Sequence, residues 1–198
     1  MIELTGFRLA AEWFDRPAQE SLLGDVLAAV RVAPAQRYAT PNGRMSVRMT
    51  AFGEVGWISD ERGYRYEPRR PDNGDPWPPI PVRLLELWAS ITAGAQPPDS
   101  CLVNIYDRDA RMGLHQDRDE RDISHPVVSV SLGDVAIFRL GGTARTDPTR
   151  TLRLTSGDVC MLSGPARLAF HGVDRIVAGT SSLIPGGGRI NLTLRRAL

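Results

Sequence analysis

Lysine is absent from this chain of 198 residues, and all 24 basic side chains are arginine. A Schiff-base lysine and a phosphate-loop lysine are therefore excluded, and two classes of chemistry go with them. A genome whose base composition favours arginine codons accounts for the pattern as a whole. Cysteine is scarce: Cys101 and Cys160 sit in the apolar runs CLVNIY and DVCML and read as reduced core residues, not a disulfide framework. No run approaches the roughly 18 consecutive apolar residues of a membrane span. Glu3, Glu12 and Asp15 break the basic-then-apolar order of a signal segment. Excess charge is also missing, because 24 basic against 23 acidic groups leave only +1. That balance argues against a disordered polyelectrolyte and against a protein that coats nucleic acid through bulk charge. With 42% hydrophobic residues the chain can bury a sizeable core as one domain over 1–198, expected to be cytoplasmic and monomeric.

Two segments carry helical periodicity. Over 17–30, Asp15 can cap, Pro17 suits the first turn, and Leu22, Leu23, Val26, Leu27 and Val30 form an apolar stripe. Over 81–93, Val82, Leu85, Trp88 and Ile91 repeat the pattern and Gly94 ends it. Between them, PRRPDNGDPWPPIP at 68–81 holds six of the 15 prolines and reads as loop. From residue 100 the period changes to two. Short β-type runs stand at 101–106, 127–132, 135–140, 151–155, 158–162, 167–171 and 189–195, most of them separated by glycine-containing turns. The fold expected is mostly β with flanking helices, its strands closing into a jelly roll or barrel.

The last run, RINLTLR, alternates strictly: Arg189, Asn191, Thr193 and Arg195 share one face, and Ile190, Leu192 and Leu194 the other. A polar face in water explains this, and so does a barrel interior that holds an anion. The two arginines are about 20 Å apart on an extended strand. They cannot grip one carboxylate side by side, but they could bracket a short dicarboxylate. In GLHQDRDE, His115 and Asp117 point the same way on an extended segment. A later histidine at a strand terminus, His171 in RLAFHG, would complete two histidines and one carboxylate, the ligand set of non-haem Fe(II) oxygenases. His125, before Pro126, reads as surface.

The order of these motifs is distinctive. The stretch CLVNIYDRDARMGLHQDRDERDISHPVVSVSLGDVAIFRLGG, the RLAFHG run and the terminal RINLTLR closely resemble the AlkB family of alkylated-nucleic-acid repair dioxygenases. The resemblance extends back through MSVRMTAFGEVGWISDERGYRYEP and DPWPPIP, so it covers about 45–198; residues 1–44 are less specific. It implies a double-stranded β-helix core over 81–198 beneath a nucleotide-recognition lid over 45–80, with 1–44 an N-terminal extension. It implies that His115, Asp117 and His171 bind Fe(II), with 2-oxoglutarate and O2 as co-substrates. Arg189 and Tyr106 would hold the distal carboxylate of 2-oxoglutarate. Arg195 and Asn104 would sit near the end that chelates iron, with Asn191 and Thr193 on the same face.

For the substrate, the resemblance implies alkylated single- or double-stranded DNA, with RNA as a second candidate, and lesions such as 1-methyladenine and 3-methylcytosine. A methyl group on the base is hydroxylated and leaves as formaldehyde, and the base must be flipped out or already unpaired. Trp57 is placed against that base, Tyr64 near its phosphate, Met49 in the pocket wall and Asp119 near a positively charged lesion. Tyr66 belongs to the same polar, accessible segment; Arg118 and Arg145 are candidates for phosphate or base contacts. Leu162 departs from the family, which commonly has an aromatic there. Two other readings remain: a 2-oxoglutarate-dependent hydroxylase of a small molecule or protein, and a catalytically dead nucleic-acid reader. The first has no use for the aromatic lid, and the second could lose the metal ligands freely.

Overall fold

The fold was analysed in a computed structural model that describes residues 2–40 and 43–198. In chain order, β1 (Ile2–Leu4) and β2 (Phe7–Ala10) lead into helix α1 (Arg16–Val32). Next come β3 (Ala39–Thr40), β4 (Gly43–Arg44), β5 (Arg48–Gly53), β6 (Gly56–Asp60) and β7 (Gly63–Glu67). The proline-rich loop then leads to helix α2 (Val82–Ile91). The second half is β8 (Ser100–Tyr106), β9 (Met112–His115), β10 (Val127–Gly133), β11 (Val135–Leu140), β12 (Arg150–Leu154), β13 (Val159–Leu162), β14 (His171–Val177) and β15 (Arg189–Arg195).

Two antiparallel sheets face each other as a jelly roll. The larger runs β1-β2-β13-β10-β15-β8-β5 and the smaller β12-β11-β14-β9; β3-β4 and β6-β7 are separate hairpins. The outer face of the large sheet is closed by the helices. Leu22, Leu23 and Val26 of α1 and Leu84, Leu87 and Trp88 of α2 pack on Val103, Val130, Leu192 and Leu194. The inner face shares a second core with the small sheet, in which Phe7, Leu102 and Leu162 meet Phe138, Leu140 and Val173. Strand alternation therefore sorts side chains between two buried compartments, not between core and water. That removes the ambiguity of RINLTLR: both of its faces are inside.

Helix α1 starts as expected, with the Asp15 carboxylate accepting from the Ala18 N–H at 2.9 Å and Pro17 in the first turn. The expected stripes need correction. Leu27 is 47% exposed, and Ala29 is buried in its place. On α2, Val82 and Leu85 are 69% and 36% exposed, while Leu84, Leu87 and Trp88 face the sheet. Spacings of three and four residues suit either face of so short a helix, and the bulkier set won. Strands expected at 101–106, 127–132, 135–140 and 189–195 form within a residue or so. The run 167–171 does not: Gly164–Ala166 makes a 3-10 turn, and His171 begins β14 where it was expected to end a strand. Strands β2, β5, β6, β7 and β9 carry too little regular alternation to have been read. Cys101 and Cys160 are free and buried. Among the described residues no helix is long and apolar enough to cross a membrane.

Candidate active site

Between the sheets lies a cavity of about 930 Å³, and every expected metal and co-substrate residue lines it. Strand β9 ends on His115, Asp117 follows two residues later, and His171 opens β14 directly across the ladder from His115. Each imidazole Nδ1 lies 2.9 Å from a backbone carbonyl, Gly113 for His115 and Ala169 for His171. A carbonyl only accepts, so each Nδ1 carries the proton and each Nε2 keeps its lone pair. His115 Nε2 is 3.8 Å from Asp117 Oδ1, and His171 Nε2 is 3.7 Å from Asp117 Oδ2. One ligand atom from each of the three lies within 4.8 Å of the other two.

Electrostatics favour a bound cation. Burial works to raise the Asp117 carboxyl, but Arg195, His171 and His115 outweigh it and hold the group below the usual carboxylate range. Burial pushes His171 down to about 4 against the pull of Asp117, so its ring is neutral at neutral pH, as a metal ligand must be. Asp117 Oδ2 is buried and has no hydrogen-bond partner. A carboxylate oxygen and two imidazole nitrogens converging on one point suit a divalent iron with open positions.

Strand β15 supplies the second half of the site. Arg189 is 1% exposed; its Nη1 donates to the Asp134 and Leu154 carbonyls and its Nη2 to Ser131 Oγ at 2.6 Å. Its Nε is left without a partner. Burial lowers its pKa, and Tyr106, the next side chain across the ladder, is pushed up to about 12 by burial and so stays protonated. Asn191 accepts from Ser129 Oγ and donates to Thr193 Oγ1, both at 2.8 Å. Asn104 pairs across from Asn191 and keeps an unpartnered buried amide oxygen. Arg195 Nη2 lies 2.9 Å from Asp117 Oδ1, and its Nη1 has no partner. Unsatisfied buried donors near both ends of the strand are costly unless an anion joins them. A short dicarboxylate fits that donor set.

Sequence reasoning missed Glu120 and Arg167. An acidic pair at 119–120 reads as a solvated loop, yet Glu120 has a side chain only 2% exposed. Its carboxylate accepts from the Tyr66 hydroxyl at 2.7 Å and from Arg167 Nη2 at 3.0 Å, and lies 3.2 Å from Arg195 Nε. Arg167 also donates to the carbonyls of Asp117 and His125. Tyr66, expected on an accessible surface, is instead turned inward, and burial drives its hydroxyl well above the usual phenol range. His125, expected at the surface, is half-buried, 3.7 Å from Asp122.

At the cavity mouth, Trp57 of β6 donates its indole N–H to Asp119 Oδ2 at 2.8 Å. Tyr64 of β7 stacks on the indole with ring centroids 5.3 Å apart, and Tyr38 meets it edge-on. Met49 is buried in the wall beside Asn104. Arg145 donates to the Leu114 carbonyl and lies over the Phe170 ring. Arg118 is exposed at the rim, and Leu162 is buried in the inner wall.

The model of the 2OG-Fe(II) oxygenase superfamily matches residues 6–195. The α-ketoglutarate-dependent dioxygenase AlkB homolog of Caulobacter vibrioides is 61% identical over 193 residues, spanning 97% of this chain and 88% of that protein. The chain belongs to the AlkB family. The α-ketoglutarate-dependent dioxygenase AlkB of Escherichia coli is 42% identical over 185 residues, 91% of this chain and 85% of that protein. The solved structure of OsALKBH1 superposes with a TM-score of 0.84 at 30% identity, covering 99% of each chain. As an AlkB-family member the chain is an Fe(II)- and 2-oxoglutarate-dependent dioxygenase. The unpartnered Asp117 Oδ2, Arg189 Nε and Arg195 Nη1 are the kind of atoms that iron and 2-oxoglutarate would satisfy.

Proposed function

We propose that this chain removes N-alkyl groups, as in 1-methyladenine and 3-methylcytosine, from bases of DNA and also of RNA. The observation that carries this reading is the mouth of the cavity. There Trp57, stacked on Tyr64, hydrogen-bonds Asp119, while Arg44, Arg111, Arg118 and Arg145 line the rim. Aromatic rings beside a carboxylate suit a flat cationic base, and rim arginines suit its phosphates. In this reading the 198 residues work as one unit. Within the segment 45–80 read as the lid, the β6–β7 hairpin covers the mouth. Strand β5, like β1, β2 and α1 before it, belongs with 81–198 to the two-sheet core.

His115, Asp117 and His171 hold the metal, the two Nδ1–H···O=C bonds fixing the imidazole tautomers. Arg189 and Tyr106 orient the far carboxylate of 2-oxoglutarate. Arg195, Asn104, Asn191 and Thr193 line the near end. When bound, iron with 2-oxoglutarate and O2 supplies the oxidising power that hydroxylates the methyl group, leaving succinate and CO2. Asp119 draws a cationic base toward the metal, Trp57 and Met49 bound its plane, and the hydroxymethyl product sheds formaldehyde. Because Tyr64 covers one side of the indole, a base stacks on the other side or displaces Tyr64. Purified chain with Fe(II), 2-oxoglutarate and ascorbate is expected to release formaldehyde from oligonucleotides carrying either lesion. Absence of turnover on single- and double-stranded DNA and on RNA would contradict the proposal.

A further inference from the structure

Glu120 is buried where an ionised carboxylate is expensive, and three separate segments meet it: Tyr66 from the β6–β7 hairpin, Arg167 after the 3-10 turn and Arg195 at the end of β15. Asp117 and Glu120 together balance Arg167 and Arg195. Arg195 is held between the two carboxylates, Nη2 paired with Asp117 and Nε 3.2 Å from Glu120 Oε1, an ion-pair contact without hydrogen-bond geometry, with Nη1 left over.

These partners differ in freedom. Arg167 is fully engaged, with Nε on the His125 carbonyl, Nη1 on the Asp117 carbonyl and Nη2 on Glu120 Oε2. Arg195 is anchored in the large sheet. Tyr66 belongs to a two-stranded hairpin outside both main sheets. The same hairpin touches the neighbouring residue as well, because Trp57 donates to Asp119. The hairpin therefore grips two consecutive residues of the loop that also carries Asp117, and its Tyr66 hydroxyl uses the same Glu120 oxygen that faces Arg195.

We propose that Glu120 is a positioning residue that couples the mouth hairpin to the co-substrate end of the cavity, through one carboxylate oxygen shared by the Tyr66 hydroxyl and the Arg195 guanidinium. A nucleic acid that engages Trp57 shifts the hairpin and alters the Tyr66–Glu120 bond. Arg195 then re-seats against 2-oxoglutarate. Linkage makes the effect reciprocal: nucleic acid changes affinity for 2-oxoglutarate by the factor with which 2-oxoglutarate changes affinity for nucleic acid. This second half rests on the nucleic-acid reading; the link from Glu120 to Arg195 does not.

The test is calorimetric titration of 2-oxoglutarate into the Mn(II)-loaded chain without oxygen, with and without an oligonucleotide bearing 3-methylcytosine. In the wild type the oligonucleotide is expected to change the 2-oxoglutarate Kd by about fivefold or more, the lower end of ordinary coupling. Glu120→Gln weakens 2-oxoglutarate by about tenfold with no oligonucleotide present, as expected when one partner of a buried charge pair is lost. Tyr66→Phe removes only the hydroxyl and reduces the oligonucleotide effect to less than about twofold. A purely structural role would lower the thermal midpoint and leave the ratio of the two Kd values intact. Two results overturn the proposal: a ratio undiminished in Tyr66→Phe, or a Glu120→Gln Kd equal to that of the wild type. If Glu120→Gln does not fold, Tyr66→Phe decides alone. If the oligonucleotide fails to bind the wild type, the nucleic-acid reading falls, and the oligonucleotide-free titration still decides the Glu120–Arg195 half.

Discussion

Along β15 two sets of side chains alternate. Ile190, Leu192 and Leu194 meet the helices, while Arg189, Asn191, Thr193 and Arg195 meet the small sheet across the cavity, and all but Asn191 are buried. The outward set is interchangeable in kind with any close-packed core: apolar and without a polar atom to satisfy. The inward set includes two guanidiniums with N–H groups that nothing among the described residues completes. The contrast separates what holds the fold together from what the fold holds. A buried apolar face is a finished structure, whereas a buried charged face with unfilled valences is half of a binding site.

Substitutions on the two faces should part company. The largest effect belongs to the outer core. Trp88→Ala, at a residue 1% exposed between α2 and the sheet, is expected to cost about 3–5 kcal/mol in urea unfolding. Next is Asp134, whose carboxylate accepts from the N–H groups of Thr180, Ser181 and Gly188 and so pins the loop leading into β15. Asp134→Ala should cost about 2–3 kcal/mol by leaving those donors unmet. Burial raises the Asp134 carboxyl, but the backbone donors outweigh it and hold it low. Its contribution is therefore present above the ordinary carboxylate pKa of about 3.9 and is lost as pH falls through the depressed value. The difference between wild type and Asp134→Ala should accordingly shrink in acid unfolding series. At the mouth, Trp57→Ala should weaken binding of a methylated oligonucleotide by about 1–3 kcal/mol while leaving 2-oxoglutarate titration of the Mn(II)-loaded chain unchanged. Full retained activity on methylated DNA would favour the small-molecule or protein hydroxylase reading. On the inner face, Arg189→Met removes a costly buried charge but leaves the Asp134 and Leu154 carbonyls and the Ser131 hydroxyl without their donor. A net cost of about 1–2 kcal/mol is expected, below that of Trp88→Ala.

Much of the candidate site was legible in the sequence because its parts are local. His115 and Asp117 are two residues apart, and Arg189 through Arg195 lie on one uninterrupted strand, so alternation alone aligned them. Which face of that strand looked inward was not legible, since the sorting depends on two helices far away in the chain. Glu120 was not legible for the same reason: its neighbours in sequence are polar, and its burial is set by Tyr66, Arg167 and Arg195. The α2 stripe was right at Trp88 and Ile91 and wrong at Val82 and Leu85, because Leu84 and Leu87 satisfy helical spacing with Trp88 and Ile91 equally well. The strand expected at 167–171 failed because Gly164 and Pro165 turn the chain before it can extend, delaying pairing until His171.

The central claim is that the outer face of β15 serves the fold alone, whereas its inner face also serves 2-oxoglutarate. Thermal unfolding of the Mn(II)-loaded wild type, Arg189→Met and Leu192→Ala, each with and without excess 2-oxoglutarate, tests it most directly. Leu192→Ala should unfold well below wild type yet still gain stability from 2-oxoglutarate, as binding to the native state requires. Arg189→Met should lose some stability through the acceptors it leaves unmet, but gain nothing from 2-oxoglutarate. An Arg189→Met chain that is still stabilised by 2-oxoglutarate as strongly as wild type, or a Leu192→Ala chain that is not stabilised by it at all, would contradict the account.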